Sequence, residues 1–240
     1  MICQLNISHK FKSNNFDDRK NKISFIIIHY TETKTLTKAL KLLTDKERRV
    51  SCHYLIDSKG KVYNLVDLNK RAWHAGESKW KNLKDINSRS IGIEIVNSGE
   101  NKKGKYKKEQ INVLITLIKL LKQKYKISNE KILGHSDIAP LRKIDPGKFF
   151  PWEALNEYSI GLWANVSPNK SKLTKTEYKN LLANLGRIGY QYFNSAKENK
   201  LVIDAFHRHH LKKLVGKSPD KSSLEKSQKL LKIKNIDLKE

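Results

Sequence analysis

Short apolar runs alternate with amphipathic stretches over the first two thirds of the chain. Residues 25–30, 51–57, 61–66 and 90–96 are rich in β-branched and aromatic residues and bounded by polar or turn-forming ones, which predicts four strands. Asp57-Ser58-Lys59-Gly60 predicts a hairpin pairing the second and third runs antiparallel, because Gly60 readily accepts positive φ. Ile111, Leu114, Ile115, Ile118 and Leu121 recur at three- and four-residue steps, predicting a long helix over 108–125. A shorter helix fits 37–43, with Leu36, Ala39, Leu40 and Leu43 facing inward. Strands alternating with helices imply an α/β fold, a mixed central sheet covered by helices.

After Val166-Ser167-Pro168-Asn169 the strand pattern ends. Thr174 with Glu177, and Ser222 with Glu225, have the spacing of a capping box, in which hydroxyl and carboxylate satisfy the free amides of a helix start. With a helical run near 201–214 between them, this region reads as a small three-helix unit that docks on the first. The expected organisation is a polar, loosely held arm over 1–23, an α/β domain over 24–166 and a helical domain over 167–240.

Composition changes this picture little. The 240 residues carry 49 Lys+Arg against 24 Asp+Glu, a formal charge of +25, with 38% hydrophobic residues. Such a surplus suits an anionic partner, whether nucleic acid, lipid headgroups or an acidic cell-wall polymer. Arg supplies only 8 of the 49 cations, and no basic run is interleaved with aromatics at stacking spacing, so nucleic acid is not the expected partner. A solvated lysine coat is the plainer reading. Cys3 and Cys52 are too few for a disulfide framework or a cysteine-only zinc site. No secretory h-region and no membrane-spanning run is visible.

The candidate chemistry lies in separated blocks. His29 ends the first strand; His135 lies in Gly134-His135-Ser136-Asp137-Ile138-Ala139-Pro140, and Asp145 in Lys143-Ile144-Asp145-Pro146-Gly147. Two imidazoles and a carboxylate suit Zn²⁺ and leave a fourth position for water. Taken singly, each is more often a core or turn residue. On the strand over 90–96, Glu94 shares a face with Gly92 and Val96 while Ile91, Ile93 and Ile95 take the other. An acid in so apolar a strand needs a lysine partner or a chemical purpose. Cys52 points away from His53 and reads as a buried free thiol. His207, His209 and His210 have no carboxylate at ligand spacing, so a second metal site is not expected there.

The blocks His29-Tyr30-Thr31, Val50-Ser51-Cys52-His53-Tyr54-Leu55, Ala72-Trp73-His74-Ala75-Gly76, Ser90-Ile91-Gly92-Ile93-Glu94, the two His135 and Asp145 blocks, and Phe150-Pro151-Trp152 occur in an order that resembles one family. It is that of the zinc-dependent N-acetylmuramoyl-L-alanine amidases, which includes AmpD, AmiD, phage amidases and animal peptidoglycan recognition proteins, with the AmiD type nearest. The resemblance covers residues 24–163; the tail more weakly resembles a peptidoglycan-binding module. It implies one Zn²⁺ held by His29, His135 and Asp145, with Glu94 as general base and Lys143 beside the developing oxyanion. His74 is expected to touch substrate and His53 to pack behind the site. The implied partners are peptidoglycan or muropeptides. A cell-envelope location follows from that substrate, with a cytoplasmic recycling enzyme as the alternative because no signal is visible. A non-catalytic peptidoglycan-binding module is the competing function; it should lack a ligand or Glu94, and every one is present.

Overall fold

The computed structural model describes residues 5–237. Its strands are β1 (Ile7–Ser8), β2 (Phe16–Asp18), β3 (Phe25–Tyr30), β4 (Tyr54–Ile56), β5 (Val62–Asn64), β6 (Lys70–Ala72), β7 (Ser90–Ile95) and β8 (Ile132–Gly134). Six of them form one mixed sheet in the order β1-β5-β4-β7-β3-β8, and β2 pairs with β6 in a separate antiparallel ribbon. The helices are α1 (Leu36–Thr44), α2 (Ile86–Arg89), α3 (Lys108–Tyr125), α4 (His135–Ile138), α5 (Trp152–Asn156), α6 (Lys175–Ile188), α7 (Ala196–His210) and α8 (Lys221–Asp237).

The parallel neighbours β4, β7, β3 and β8 form the centre of the sheet, where helical cover on both faces favours near-continuous apolar runs. On one face Ile26, Ile28, Ile91, Ile93 and Ile95 pack against Leu114, Leu117, Ile118 and Leu121 of α3. On the other, Phe25 and Ile27 share a single core with Leu181, Leu185, Val202 and Phe206 of α6 and α7 and with Leu230 of α8. The helical unit therefore completes the sheet's second face. α1 covers a smaller cluster of Leu55, Val96 and the buried free thiol of Cys52; Cys3 lies outside the described residues.

The hairpin forms as expected, pairing Ile56 with Val62 across a turn in which Gly60 has φ +81° and Asp57 Oδ1 accepts the amides of Lys59 and Lys61. Thr174 and Glu177 form their capping box. The second box shifts. Asp220, not Ser222, starts α8, its carboxylate accepting the Ser223 amide while the Ser223 hydroxyl accepts the Asp220 amide. Ser222 instead accepts the Asn169 amide at 2.7 Å.

Among the described residues of the N-terminal segment, 13–21 are not loosely held. Ser13 and Asn15 are buried. The Arg19 guanidinium donates to the carbonyls of Ser88 and Lys70, both at 2.7 Å, and to that of Leu68 at 3.1 Å. Ser88 Oγ accepts the amides of Lys20 and Asn21. Its polar composition serves loop carbonyls rather than solvent, and polarity alone does not distinguish the two.

Candidate metal and catalytic site

Parallel pairing sets the site. β3 and β7 run in register with His29 opposite Glu94, and β3 pairs β8 at Ile28 and Gly134, one residue before His135. Chain leaving the C-terminal ends of these strands forms a crevice, the usual place for a site in a parallel sheet. The loop after α4 returns Asp145 beneath it. His29, His135 and Asp145, remote in sequence, are all buried and meet there.

Three donor atoms converge: His29 Nδ1 lies 3.0 Å from His135 Nδ1 and 2.9 Å from Asp145 Oδ2, and His135 Nδ1 lies 3.1 Å from that oxygen. The hydrogen bonds behind them decide where the protons are. His135 Nε2 is 3.1 Å from the Ala75 carbonyl, which only accepts, so His135 carries its proton on Nε2 and its Nδ1 is a bare lone pair. The other chain is longer. The Ser90 hydroxyl donates to the Ile86 carbonyl at 2.5 Å, so Ser90 Oγ accepts from His74 Nε2 at 3.1 Å. His74 Nδ1 then accepts from His29 Nε2 at 3.0 Å, leaving His29 Nδ1 bare as well.

Burial, with His135 adding, lowers His29 to about 4, so it is neutral at pH 7. With the ring protons held on the outer nitrogens, three lone-pair donors face one another, an arrangement that calls for a cation. Bonds of about 2.0–2.1 Å to a tetrahedral ion would space such donors roughly 3.3–3.4 Å apart, close to what is seen. The set fits a divalent metal.

Glu94 stands beside this group. Its Oε2 is buried without a hydrogen-bond partner among the described residues, and burial, with Asp145 adding and Lys143 opposing, pushes its carboxyl up to about 8. Lys143 borders the same cavity of about 340 Å³, which Tyr30, Trp73, Glu94 and Arg142 also line. A larger cavity of about 610 Å³ lies between α5 and α7, walled by Trp152 and Trp163, and holds none of these groups.

All six residues singled out in the sequence come together. His74, expected to contact substrate, borders the cavity, yet both its ring nitrogens are taken up by His29 and Ser90. His53 packs behind, its Nδ1 accepting the Gly92 amide at 3.0 Å. Gly92 itself is required: a Cβ there would overlap the His74 ring. Sequence reasoning quoted the blocks containing Ala75, Gly92 and Ser90 without assigning them work. It missed Arg142, whose guanidinium donates to the Ala75 and Glu77 carbonyls, and Asn87, whose Oδ1 accepts the amides of His74 and Ala75. A lone Asn or Arg in a loop carries no periodic signal.

A family model described as N-acetylmuramoyl-L-alanine amidase, Amidase_2, matches residues 19–148. The chain is 35% identical over 209 residues to N-acetylmuramoyl-L-alanine amidase AmiD of Escherichia coli K12, covering 78% of this chain and 75% of that one. It is 41% identical over 108 residues to 1,6-anhydro-N-acetylmuramyl-L-alanine amidase AmpD of Haemophilus influenzae, spanning 45% of this chain and 57% of AmpD. The solved E. coli AmiD in complex with the substrate anhydro-N-acetylmuramic acid-L-Ala-D-γ-Glu-L-Lys superposes with a TM-score of 0.80 at 31% identity, over 90% of this chain and 92% of that one. AmpDh3 of Pseudomonas aeruginosa with anhydromuramic pentapeptide gives 0.75 at 28% identity, over 87% and 91%. The sheet, the crevice and these likenesses agree, and the chain belongs to the Amidase_2 family of N-acetylmuramoyl-L-alanine amidases.

Proposed function

We propose that this amidase works with one Zn²⁺ held by His29, His135 and Asp145, and that Glu94 and Lys143 carry the proton and charge transfers of the reaction. The observation that supports this most directly is the convergence of the three donors, the outer ring nitrogens of the two histidines being fixed by Ala75 and by the His74–Ser90 chain. The bond cleaved joins the lactyl group of N-acetylmuramic acid to L-alanine. When bound, the metal supplies Lewis acidity toward the attacking water and the scissile carbonyl.

The protein's own groups do the rest. Glu94 accepts a proton from the water as it attacks, and its carboxyl, pushed up to about 8, is in its ionised form a stronger base than an ordinary carboxylate. The same carboxyl then returns the proton to the departing amine, so no covalent enzyme intermediate is needed. The Lys143 ammonium, at the rim of the cavity, offsets the negative charge that grows on the carbonyl oxygen. His74 orients the His29 ring while presenting its edge to the cavity.

The partners that suit this chemistry are peptidoglycan and its muropeptide fragments, and the substrate favours a cell-envelope location. No helix among the described residues is long and apolar enough to cross a membrane. Metal analysis of the purified chain tests the assignment: one equivalent of zinc, most of it lost in His29→Ala, His135→Ala and Asp145→Ala, is the expected result. Full zinc in all three variants would remove the ligand set.

A further inference from the structure

Asp137, two residues after His135, is fully buried. Its carboxylate accepts three hydrogen bonds of 2.7 Å, from the Gly134 amide, the Tyr190 hydroxyl and His209 Nδ1. The first closes the turn that begins α4, whose opening residue is His135. The other two donors come from the helical unit, 53 and 72 residues further along the chain.

The residue before His209 repeats the pattern on the second ligand. Arg208 Nε donates to Glu100 Oε2 at 3.2 Å, and that same oxygen accepts the Lys148 amide at 2.7 Å, three residues after Asp145. Consecutive side chains at the C-terminal end of α7 therefore hold two carboxylates, each of which fastens backbone beside a different metal ligand. Packing fixes the end of α7 in turn. The His209 ring stacks on Trp152 with centroids 3.8 Å apart. His207 donates from Nδ1 to the Leu214 carbonyl and accepts the Ser223 hydroxyl at Nε2.

We infer that His209 and Arg208 are positioning residues for the metal site, so that α7 acts as a brace setting the placement of His135 and Asp145. The physical case is one of satisfied groups. A buried carboxylate deprived of a donor bears much of its desolvation cost, and the turn it caps can relax to recover hydrogen bonds elsewhere. Ligand imidazoles tolerate little such movement, since outer partners of metal ligands typically control 10- to 100-fold in metal affinity. A contact serving only to glue the helices to the sheet would not need to choose the two acids that cap the ligand-bearing turns.

This inference rests on the proposed ligand set, and the test keeps the two separable. In the full chain, Co²⁺ affinity is measured by competition with a chelator, alongside the visible spectrum of the bound ion and the thermal melt. His209→Leu and Arg208→Met should each weaken Co²⁺ binding about tenfold or more, and His209→Leu should alter the spectrum. His209→Asn, which can return an N–H donor near the same place, should recover most of the affinity. Leu224→Ala, in the same helical core but touching neither acid, should lower the melting temperature and leave Co²⁺ binding unchanged. Should His209→Leu fold poorly, Tyr190→Phe removes only a hydroxyl from the same carboxylate and should shift affinity in the same direction. Wild-type affinity and spectrum in His209→Leu and Tyr190→Phe would reduce the contact to docking and overturn the brace. Failure of the wild-type chain to bind Co²⁺, or undiminished binding in His29→Ala, would instead overturn the ligand set.

Discussion

His29 and Glu94 are direct partners in the register of β3 and β7, so an imidazole and a carboxyl project from neighbouring parallel strands at the same level and toward the same face. Strand pairing, not loop geometry, sets their spacing. Catalytic groups held this way lose little orientation when surrounding loops move.

Glu94→Gln keeps the shape and removes the base. We expect kcat to fall by roughly 10²-fold or more with metal content near normal. Lys143→Met should also lower kcat by about 10²-fold, and the double variant should lose less than the product of the two, because both groups serve one transition state. Steady-state kinetics beside metal analysis checks this; normal turnover in metal-loaded Glu94→Gln would move the base elsewhere.

Gly92→Ala should be harmful although it adds one methyl group to a strand. The new Cβ would displace the His74 ring, and we expect about 1–3 kcal/mol of lost stability by denaturant titration. Metal affinity should drop as well, because His74 sets the protonation of His29. His74→Ala in the Gly92→Ala background should then cost little further affinity, and full additivity would contradict the shared cause.

Several histidines are buried in the neutral form, and the sign of the resulting pH dependence is fixed. Burial, with Arg19 adding, lowers His53 from the ordinary 6.5 to about 3, and burial lowers His207 to about 4. Unfolded histidine takes up a proton near pH 6.5 and the folded groups refuse it, so their contribution is complete above 6.5 and lost as pH falls through 4 and 3. Each adds a slope of about 1.4 kcal/mol per pH unit within its window. Urea unfolding of chelator-treated protein between pH 7.5 and 5 should show stability falling with acidification; a flat profile would contradict the burial.

Truncation after Ser167 should not yield a sound catalytic half. It would bare Phe25, Ile27, Leu133 and Ile138, which share their core with α6, α7 and α8. The truncated chain should aggregate or melt far below the full one. Cooperative unfolding near the full-length temperature would show the shared core to be dispensable.

The sheet's centre was readable because β3 and β7 are six-residue apolar runs and α3 keeps its apolar positions for five turns. β8 and β6 were not, since three residues give no period to detect and neither is flagged by a turn such as Asp57-Ser58-Lys59-Gly60, which marks the equally short β4 and β5. The same contrast holds at the site. Motif order brought His29, His135 and Asp145 together, which spacing alone does not do for residues more than a hundred positions apart. The roles of Arg19, Arg142 and Asn87 consist of hydrogen bonds to backbone atoms, and a sequence does not show where a carbonyl points. The tail histidines looked uncommitted because the acid that pairs with His209 is Asp137, distant in the chain and near only after folding.

The core shared between β3 and the last three helices also separates its parts in time, since Phe25 and Ile27 leave the ribosome well before the residues that cover them, among them Phe206 and Leu230, are made. A nascent chain therefore holds one face of β3 unburied until α6, α7 and α8 have emerged, and the crevice above that strand takes its final form only then. Hydrolytic activity should thereby wait for those helices, and a product that stops before them should be inert and short-lived.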